Sequence, residues 1–480
     1  MMSALNHTPC RAAPLALLLA ALLTGCAVGP DYQRPATTLP ASYTASSGEA
    51  AAAGEESIAS DWWKHFGDAT LTGLVEEALR NNADVRVAVG RMEQAEAAAR
   101  EVGAAFLPEI DGQMGSTRNR VSTRTATPMP AGTPLLRDSR TAALTMSYEI
   151  DVWGRTRRSD EAARASALGS RYGRDAIGLT VAGAVTSQYL ALRAYDAQLA
   201  VTSESLASQE ESLKLVQLRV EAGLAAPLAQ LQAESALAAL QAQQAGLRQK
   251  RANTLHLLAL LVGHPGLELA AGDLRQLPQP PVPPAGLPSS LVEGRPDVRQ
   301  AEESLIAANA GIGMAKAGYF PKFTLTGSLG SESKTLSDLF TAGAGTWSAG
   351  LGLLVPILDF GRTSARVDQA SAQQKQALAS YQNTLQTAFK EVNDALVGLR
   401  EQRVTETAQE LRADRSEQAL KFAQARYEAG HLGYLDLQDT LRTRNDAQLQ
   451  FIAARQARLT AAVDLFKALG GGWRPEAGKP

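Results

Sequence analysis

Length, composition and charge restrict the classes of protein to which this chain can belong. It has 480 residues, of which 45% are hydrophobic, so it is long enough for two or three domains. The formal net charge of −2 gives no argument for a nucleic-acid partner or for a strongly acidic one. Of the two cysteines, Cys10 lies in a predicted signal peptide, so we expect neither a disulfide nor a thiolate metal cluster in the mature protein.

The N-terminus has the pattern of a bacterial secretion signal. Residues 12–23 are an apolar stretch too short to span a bilayer, and the sequence at 23–26 is Leu-Thr-Gly-Cys. This ending resembles a bacterial lipobox, in which the cysteine becomes the lipidated first residue. The alternative is a chance cysteine beside an ordinary cleavage site. We predict a signal peptide over 1–25, lipidation of Cys26 and, because Ala27 is not an aspartate, sorting to the outer membrane.

The segment after the predicted lipid anchor, 26–70, is expected to be extended. Up to about position 60 it is rich in proline, alanine, serine, threonine and glycine, a composition typical of weakly structured chain. The aromatic sequence at 61–66 opens the folded part, and short helices are predicted at about 71–80 and 84–105. No later segment has 18 consecutive apolar residues, so the sequence predicts no transmembrane helix.

A long helical hairpin occurs twice in the sequence. The first copy runs from about 156 to 263 and the second from about 363 to 470, with corresponding residues 207 positions apart. The turn sequence Arg-Val-Glu-Ala-Gly, which ends at Gly223, returns as Arg-Tyr-Glu-Ala-Gly, which ends at Gly430. No insertion or deletion is needed to align the copies, so we interpret them as structural repeats of fixed length.

The long arm of each hairpin has the apolar spacing of a coiled-coil helix. From Leu192 to Val220, positions separated by steps of three and four are apolar except at Thr202 and Gln209. This period of about 3.5 residues predicts left-handed supercoiling against a neighbouring helix. A helix over 156–221 would be roughly 100 Å long at about 1.5 Å per residue. An ordinary coiled coil is the alternative interpretation.

Two regions outside the hairpins, 109–153 and 322–359, change from helical spacing to a period of two. Apolar side chains alternate with small polar ones in three segments, 141–150, 323–329 and 347–355. The alternation is typical of strands with one apolar face, and strands of about ten residues with this pattern build outer-membrane barrels. A further strand is predicted near 110–117, although its alternation is poor.

Each half of the chain therefore has the order short helix, strand, strand, long helix, turn, helix. Motifs 213 positions apart support the duplication, for example Ala-Asp-Val-Arg at 83–86 and Pro-Asp-Val-Arg at 296–299. The sequence predicts four segments after the N-terminal region: a first structural repeat over 71–277, a proline-rich linker over 278–288, a second structural repeat over 289–470 and a C-terminal tail over 471–480.

The predicted strands cannot form a membrane barrel from one chain. Each half supplies two strands, and a four-stranded sheet with open edges leaves backbone groups unpaired in lipid. Three chains would contribute twelve strands, which is enough to close a barrel around a lumen. The predicted fold is therefore α+β, with a membrane β-barrel shared between the protomers of a trimer, four strands per chain.

The sequence contains no constellation of residues suited to covalent chemistry. It has no nucleophile-elbow motif, phosphate loop or zinc motif, and none of its five histidines is paired at metal-ligand spacing with another histidine or a cysteine. His431 lies in the second tip turn, where a solvated polar side chain is the simpler interpretation. We therefore predict that the protein is not an enzyme and needs no cofactor.

Taken together, several short motifs resemble the outer membrane factor family, the TolC-like exit ducts, and most closely its lipoprotein branch of the OprM/NodT type. The motifs are the lipobox region at 23–32, the pair Trp62 and Trp63 with Phe66, and the sequences at 295–299, 319–321, 359–362 and 426–430. Each motif is weak alone, but together they are specific, and the resemblance covers nearly the whole mature chain.

The resemblance implies the outer membrane exit duct of a tripartite efflux pump. It implies a homotrimer whose twelve-stranded membrane barrel is continuous with a long periplasmic α-helical coiled-coil barrel. This tunnel would conduct drugs or other small molecules passively. The implied partners are an inner-membrane RND-type transporter, a periplasmic adaptor protein and outer membrane lipid, with no nucleic acid. A type I secretion duct and a lipid-anchored coiled-coil scaffold without a pore are the alternatives, and the alternating strands argue against the scaffold.

The resemblance also implies a periplasmic gate with an acidic constriction, which falls here on Asp436 and Asp439. These residues are three positions apart at the start of a predicted helix, so they share one face. The alternative is that they only complement the helix N-terminus, where acidic side chains are favoured by about 0.3–1 kcal/mol. We expect Tyr427, beside the same turn, to fix the closed position of the hairpin. The alternative is an aromatic side chain buried in the helical seam.

Adaptor docking is predicted at the two hairpin turns. The expected docking residues are Arg219 and Gly223 in the first turn and Arg426 and Gly430 in the second. A glycine at the end of a helix adopts positive φ without strain, so the chain can reverse tightly between two helices.

Overall fold

The computed structural model describes residues 27–36, 40, 43, 61–124, 130, 132–278, 280 and 289–472. The predicted signal peptide over 1–25 and Cys26 lie outside these described residues, as do most of the predicted linker and most of the predicted tail. Within the described residues the chain is mostly helical and contains one four-stranded sheet.

Seven helices longer than ten residues occur within the described part of the chain. They are α1 Ala69–Asn81, α2 Ala83–Ala104, α3 Arg155–Glu221, α4 Pro227–Val262, α5 Pro296–Ala317, α6 Arg362–Glu428 and α7 Tyr434–Ala468. The long helices α3 and α6 each have 67 residues, and their bounds lie 207 positions apart. No helix within the described residues combines the length and apolar character needed to cross a bilayer.

Short polar side chains determine where several helices begin. Asp68 accepts hydrogen bonds from the backbone of the first turn of α1, and the Asn82 side chain does the same for α2. Asp151 and Asp359 accept the backbone N–H of the second residue of α3 and α6, at 3.0 and 2.9 Å. These side chains satisfy N–H groups that have no partner within the helix.

Four antiparallel strands in the described residues form one sheet in the order β1-β2-β3-β4. Their bounds are β1 Glu109–Arg120, β2 Leu136–Ile150, β3 Lys322–Ser333 and β4 Gly345–Leu354. The first strand is longer than the 110–117 predicted from its poor alternation, because it pairs with β2 along its whole length. Strands β1 and β4 are the two edges of the sheet.

The register of the sheet gathers the apolar side chains on one face. Leu144 lies opposite Leu329, which in turn lies opposite Trp347 on the next strand. The other face carries small polar side chains, and the hydroxyls of Ser328 and Ser348 are hydrogen-bonded at 2.8 Å. Trp347 is 79% exposed, so the apolar face is uncovered in the single chain.

The described residues divide into two compact units. The first unit contains 27–35, 93–169 and 302–380, and it includes the whole sheet. The second unit contains the described residues within 36–92, 170–301 and 381–472. Each unit draws on both predicted structural repeats, because α2, α3, α5 and α6 contribute residues to both.

In the first unit, the segment that follows the predicted lipid anchor is fixed to α3 and α5. Arg34 makes two hydrogen bonds of 2.6 Å to Glu302, whose side chain is 8% exposed. Asp31 pairs at 2.6 Å with Arg158, which is also 8% exposed. Residues 27–36 are therefore held by ion pairs that their composition did not predict.

In the second unit, a hydrophobic core forms around the aromatic turn at 61–66, which sequence analysis identified as the start of the folded part. The Trp62 side chain is fully buried and its ring stacks on Phe466 of α7 at 5.5 Å. Tyr189 of α3 is also buried here and donates its hydroxyl hydrogen to Asp68. Burial raises the pKa of Tyr189 to about 12, so it remains a neutral donor.

A buried carboxylate fastens the segment after α4 to α3. The Asp196 side chain is 1% exposed and accepts hydrogen bonds from Arg251 at 2.5 Å and from Arg193 at 3.2 Å. It also accepts the backbone N–H of Gly272 at 3.0 Å. Two guanidinium groups and one backbone donor therefore depend on a single buried acceptor.

Replacement of Asp196 by asparagine should destabilise the protein strongly. The change leaves two largely buried arginines without their counter-charge, a situation that costs about 3–5 kcal/mol. Thermal unfolding of the purified protein measures the effect. The matched control is Asp394→Asn, which removes the partner of Lys390 in a pair whose side chains are 62% and 72% exposed. Equal melting temperatures for the two variants would contradict the role assigned to Asp196.

Candidate functional site

The two hairpin turns have the same backbone structure. In the first, the N–H of Leu224 donates to the carbonyl of Arg219 at 2.7 Å, and in the second the N–H of His431 donates to the carbonyl of Arg426 at 2.8 Å. Gly223 and Gly430 both have left-handed backbone conformations, with φ of 71° and 75°. This is the Schellman arrangement, which ends a helix with a tight reversal and favours glycine at that position.

Both tip glycines stand in open space. A Cβ atom added to Gly223 or Gly430 would have no other group within 4 Å. A substitution there is therefore opposed by the left-handed backbone conformation and not by a steric clash. Arg426, the other predicted docking residue of the second turn, is exposed.

One contact joins the two tips. The guanidinium of Arg219 donates to the hydroxyl of Tyr427 at 2.8 Å, and its central carbon lies 4.9 Å from the centre of the same ring. A hydrogen bond and a cation–π interaction therefore act together between α3 and α6. Sequence analysis assigned Arg219 to docking and Tyr427 to the gate, and the structure brings them together in one interaction.

Tyr434, the first residue of α7, extends this contact and was missed by sequence analysis. Its ring lies 6.1 Å from that of Tyr427, and its hydroxyl accepts a hydrogen bond from Gln438 at 2.7 Å. Burial raises the pKa of Tyr434, and hydrogen bonds from Ser212 and Gln209 of α3 oppose that rise. An aromatic residue immediately after a glycine turn was the available sequence signal. The cluster links the start of α7 to α3.

The two predicted gate carboxylates differ in their surroundings. Asp436 lies in the first turn of α7 and is exposed. Asp439 is 68% exposed and pairs at 2.8 Å with Arg442, three residues further along the helix. The attraction between Asp439 and Arg442 is weakened by solvent, yet the arginine places a positive charge beside the predicted acidic constriction. Sequence analysis considered the acids and overlooked Arg442.

Apolar side chains are exposed around both tips. Those that are more than half exposed are Leu218, Leu224, Leu228 and Leu231 on the first hairpin and Phe422 and Leu435 on the second. A cavity of about 490 Å³ also lies at the tips, lined in part by Leu224, Arg219 and Tyr427. The tips thus combine an apolar surface with a few fixed polar groups, which is the composition of a protein-binding surface.

Further from the tips, α7 is tied to α3, α4 and α6 by polar side chains. Asn445, which is largely buried, is hydrogen-bonded to Ser205 of α3 at 3.0 Å and to Gln243 of α4 at 3.4 Å. Arg444 pairs with Glu417 of α6 at 2.6 Å and with Glu204 of α3 at 3.1 Å. These contacts hold α7 at 444–445, beyond its first turns.

Comparison with known proteins identifies the family. The sequence model of the outer membrane efflux protein family matches residues 74–264 and 287–471, which together make up most of the chain. The chain belongs to the outer membrane efflux protein family. It is an outer membrane channel that serves as an exit duct for efflux, which confirms the predicted family, location and role.

Two relatives and one solved structure give the extent of the similarity. The toluene efflux pump outer membrane protein TtgI of Pseudomonas putida is 33% identical over 462 residues, which cover 94% of this chain and 96% of TtgI. The cation efflux system protein CusC of Escherichia coli is 31% identical over 469 residues, covering 97% and 100%. The crystal structure of the Campylobacter jejuni CmeC outer membrane channel matches with a TM-score of 0.86 at 26% identity, covering 94% of this chain and 96% of CmeC.

Tyr427→Phe should loosen both tips, because it removes the acceptor of the Arg219 hydrogen bond. A loss of about 1–1.5 kcal/mol corresponds to roughly tenfold faster amide hydrogen exchange at the turns. Arg219→Gln removes the donor of the same hydrogen bond. The increase in exchange rate in the double variant should therefore be only slightly larger than the larger of the two single increases. Additive effects of the two substitutions would show that the residues act independently.

Proposed function

We propose that three copies of this chain close one twelve-stranded β-barrel in the outer membrane, and that their long-helix hairpins line a tunnel on the periplasmic side. The observation that carries the proposal is a four-stranded sheet with one exposed apolar face and two unpaired edges. The apolar face of this sheet is suited to contact with lipid. The backbone groups at its two edges find hydrogen-bond partners in lipid only when other copies of the chain extend the sheet.

The lengths of the elements support two internal repeats in each chain. Helices α3 and α6 are equal in length, and both are followed by the same glycine turn and a returning helix. Three chains would therefore supply six hairpins of matching length. Equal lengths let six hairpins end at one level, as a tunnel with a defined opening requires.

The duct conducts passively, from an inner-membrane RND-type transporter and a periplasmic adaptor protein to the exterior. Its working step is the opening of the tips, with no covalent chemistry and no cofactor. The exposed apolar side chains around Gly223 and Gly430 form the adaptor-docking surface, together with Arg219 and Arg426. The contact between Arg219 and Tyr427 holds the tips closed until the adaptor binds.

Drugs and other small molecules are the proposed cargo, and the duct itself does not select among them. Support comes from two relatives of nearly equal similarity, one named for toluene efflux and one for cation efflux. Because these two relatives are named for chemically different cargo and resemble this chain about equally, overall similarity assigns it neither cargo. A type I secretion duct is the second candidate, and protein export by cells that carry this chain would favour it.

Planar-bilayer conductance of the purified protein, combined with its subunit count by native mass spectrometry, tests the proposed function. We expect trimers that conduct ions with discrete opening events. A monomer without conductance would support a coiled-coil scaffold and overturn the proposal.

The acidic constriction formed by Asp436 and Asp439 should give the closed tip a preference for cations. Three copies of each carboxylate around one axis attract cations and repel one another. Asp436→Asn combined with Asp439→Asn should lower the cation preference and weaken block by multivalent cations added on the periplasmic side. Arg442→Gln removes the positive charge beside Asp439 and should change selectivity in the opposite direction. Unchanged selectivity and block in the double variant would show that the two aspartates only complement the N-terminus of the helix.

Substitution of the tip glycines should impair efflux through the backbone conformation alone. Gly223→Val or Gly430→Val forces a β-branched residue into positive φ, where it is strongly disfavoured. Drug resistance should fall while trimer and barrel remain intact. The matched controls are Gly223→Asn and Gly430→Asn, because asparagine tolerates the left-handed conformation. Normal resistance in the valine variants, at normal protein levels, would argue against docking at the tips.

Lipid on Cys26 would attach the chain to the outer membrane. Cys26→Ser should abolish labelling by a fatty-acid analogue, while barrel assembly survives because the strands hold their own position in the bilayer. Persistent labelling of the variant would contradict lipidation at this residue.

A further inference from the structure

The two hairpins of the sheet have identical registers under two constant shifts in sequence. In the first hairpin Glu109 lies opposite Ser147, and in the second Lys322 lies opposite Leu354. Each residue of β3 lies 213 positions after its counterpart in β1, and each residue of β4 lies 207 positions after its counterpart in β2. The hairpins are therefore equivalent units, and a contact between consecutive hairpins has a defined counterpart at the open edges.

The contact between the two hairpins within one chain is well defined. Strands β2 and β3 pair with Met146 opposite Gly327. Just beyond the end of β2, the Trp153 ring stacks on Phe320 with a centroid distance of 4.6 Å. The indole N–H of Trp153 donates to the carbonyl of Pro321 at 2.8 Å. An aromatic side chain after one strand thus covers the residues that precede the next strand.

The counterparts of this contact stand uncovered at the two open edges. Phe360 is the counterpart of Trp153 and is 91% exposed, and Leu107 is the counterpart of Phe320 and is 70% exposed. Phe360 also has a φ of 53°, a left-handed conformation that residues other than glycine rarely adopt. A large apolar side chain that is exposed and strained at an open edge indicates that a partner covers it.

The junction between the two hairpins also contains an ion pair. At the open edges the arginine of this pair is kept, and the carboxylate lies on the opposite strand. Arg155 makes two hydrogen bonds to Glu149, at 2.8 and 2.7 Å. The counterpart of Arg155 is Arg362, but proline 356 occupies the place of Glu149. Glu149 lies opposite Thr324 across β2 and β3, and the counterpart of Thr324 on β1 is Asp111. At the open edges a carboxylate is therefore available from the opposite strand.

We propose that, in the trimer on which the proposed function rests, β4 of one copy pairs with β1 of the next with Leu353 opposite Met114 and Ile357 opposite Ile110. This register follows when the observed pairing of β2 with β3 is shifted by the two constant offsets. It keeps all four side chains on the apolar face, whereas a slip of one residue would bring apolar side chains against polar ones. The pairing extends β4 beyond Leu354.

The proposed pairing of β4 with β1 also places two pairs of side chains in contact between neighbouring copies. Phe360 packs against Leu107 of the next copy, as Trp153 packs against Phe320 within one chain. Arg362 pairs with Asp111 of the next copy, which supplies the carboxylate that its own strand lacks. The register, the apolar contact and the ion pair all follow from the equivalence of the two hairpins of the sheet.

Disulfide formation between copies tests the register. Opposite residues of an antiparallel pair have Cα atoms about 4.5–5.5 Å apart, which suits a disulfide. Within one chain β1 and β4 are three strand spacings apart, roughly 14 Å, which excludes a bond. Leu353→Cys combined with Met114→Cys should give covalent dimers and trimers on non-reducing gels of oxidised membranes. Leu353→Cys combined with Ser116→Cys, displaced by two residues, should not.

A charge exchange tests the ion pair without any added cross-link. Arg362→Asp and Asp111→Arg should each lower the temperature at which the trimer dissociates in detergent, and the double variant should recover most of the loss. Phe360→Trp should preserve trimer stability and Phe360→Gly should reduce it, although glycine relieves the backbone strain. No recovery in the charge exchange, or no loss with glycine, would remove the corresponding contact from the proposal.

The outcomes distinguish this inference from the proposed function. Native mass spectrometry of the wild-type protein reports the trimer independently of the variants. Trimers whose matched cysteines do not cross-link, or cross-link better in the displaced pair, would overturn the register and leave the duct intact. A wild-type protein that forms no trimer would overturn both.

Discussion

The unpaired edges of the four-stranded sheet are the constraint on which the rest of the structure depends. In lipid, each unpaired backbone N–H or C=O group costs several kcal/mol, so a sheet with two open edges cannot remain there alone. The apolar face that includes Trp347 cannot remain in water either, because it is uncovered along all four strands. Both costs disappear together when copies of the chain complete a closed barrel, and the number of copies then sets the number of helical hairpins.

The tip and the remainder of the helices are held by interactions of different strength. Glu406 of α6 is 5% exposed and pairs with both Arg455 and Arg458 of α7, and removal of one partner from such a buried group costs about 3–5 kcal/mol. The contact between Arg219 and Tyr427 is one hydrogen bond and one cation–π interaction, together about 1–3 kcal/mol. Separation of the helices would therefore cost less free energy at the tips than at the buried pairs.

Elements with local periodicity were predictable from the sequence, and contacts between distant residues were not. The first long helix was predicted over 156–221 and extends over Arg155–Glu221, because its apolar spacing and its glycine turn are local signals. The contact of Arg219 with Tyr427 joins residues 208 positions apart, and no spacing rule connects them. The attachment of 27–36 was not predicted for the same reason. Its composition is typical of weakly structured chain, but ion pairs with Arg158 and Glu302 hold the segment in place.

The exposed leucines at the tips are the surface that an adaptor would cover in the proposed function. Leu224, in the first turn, is 79% exposed, and Leu228, at the start of α4, is 61% exposed. Apolar side chains clustered in water favour a partner that covers them, and the gain is proportional to the area removed from water. If an adaptor covers these side chains only when the tips are apart, the area that it buries contributes free energy to opening, and this contribution is the same for every cargo.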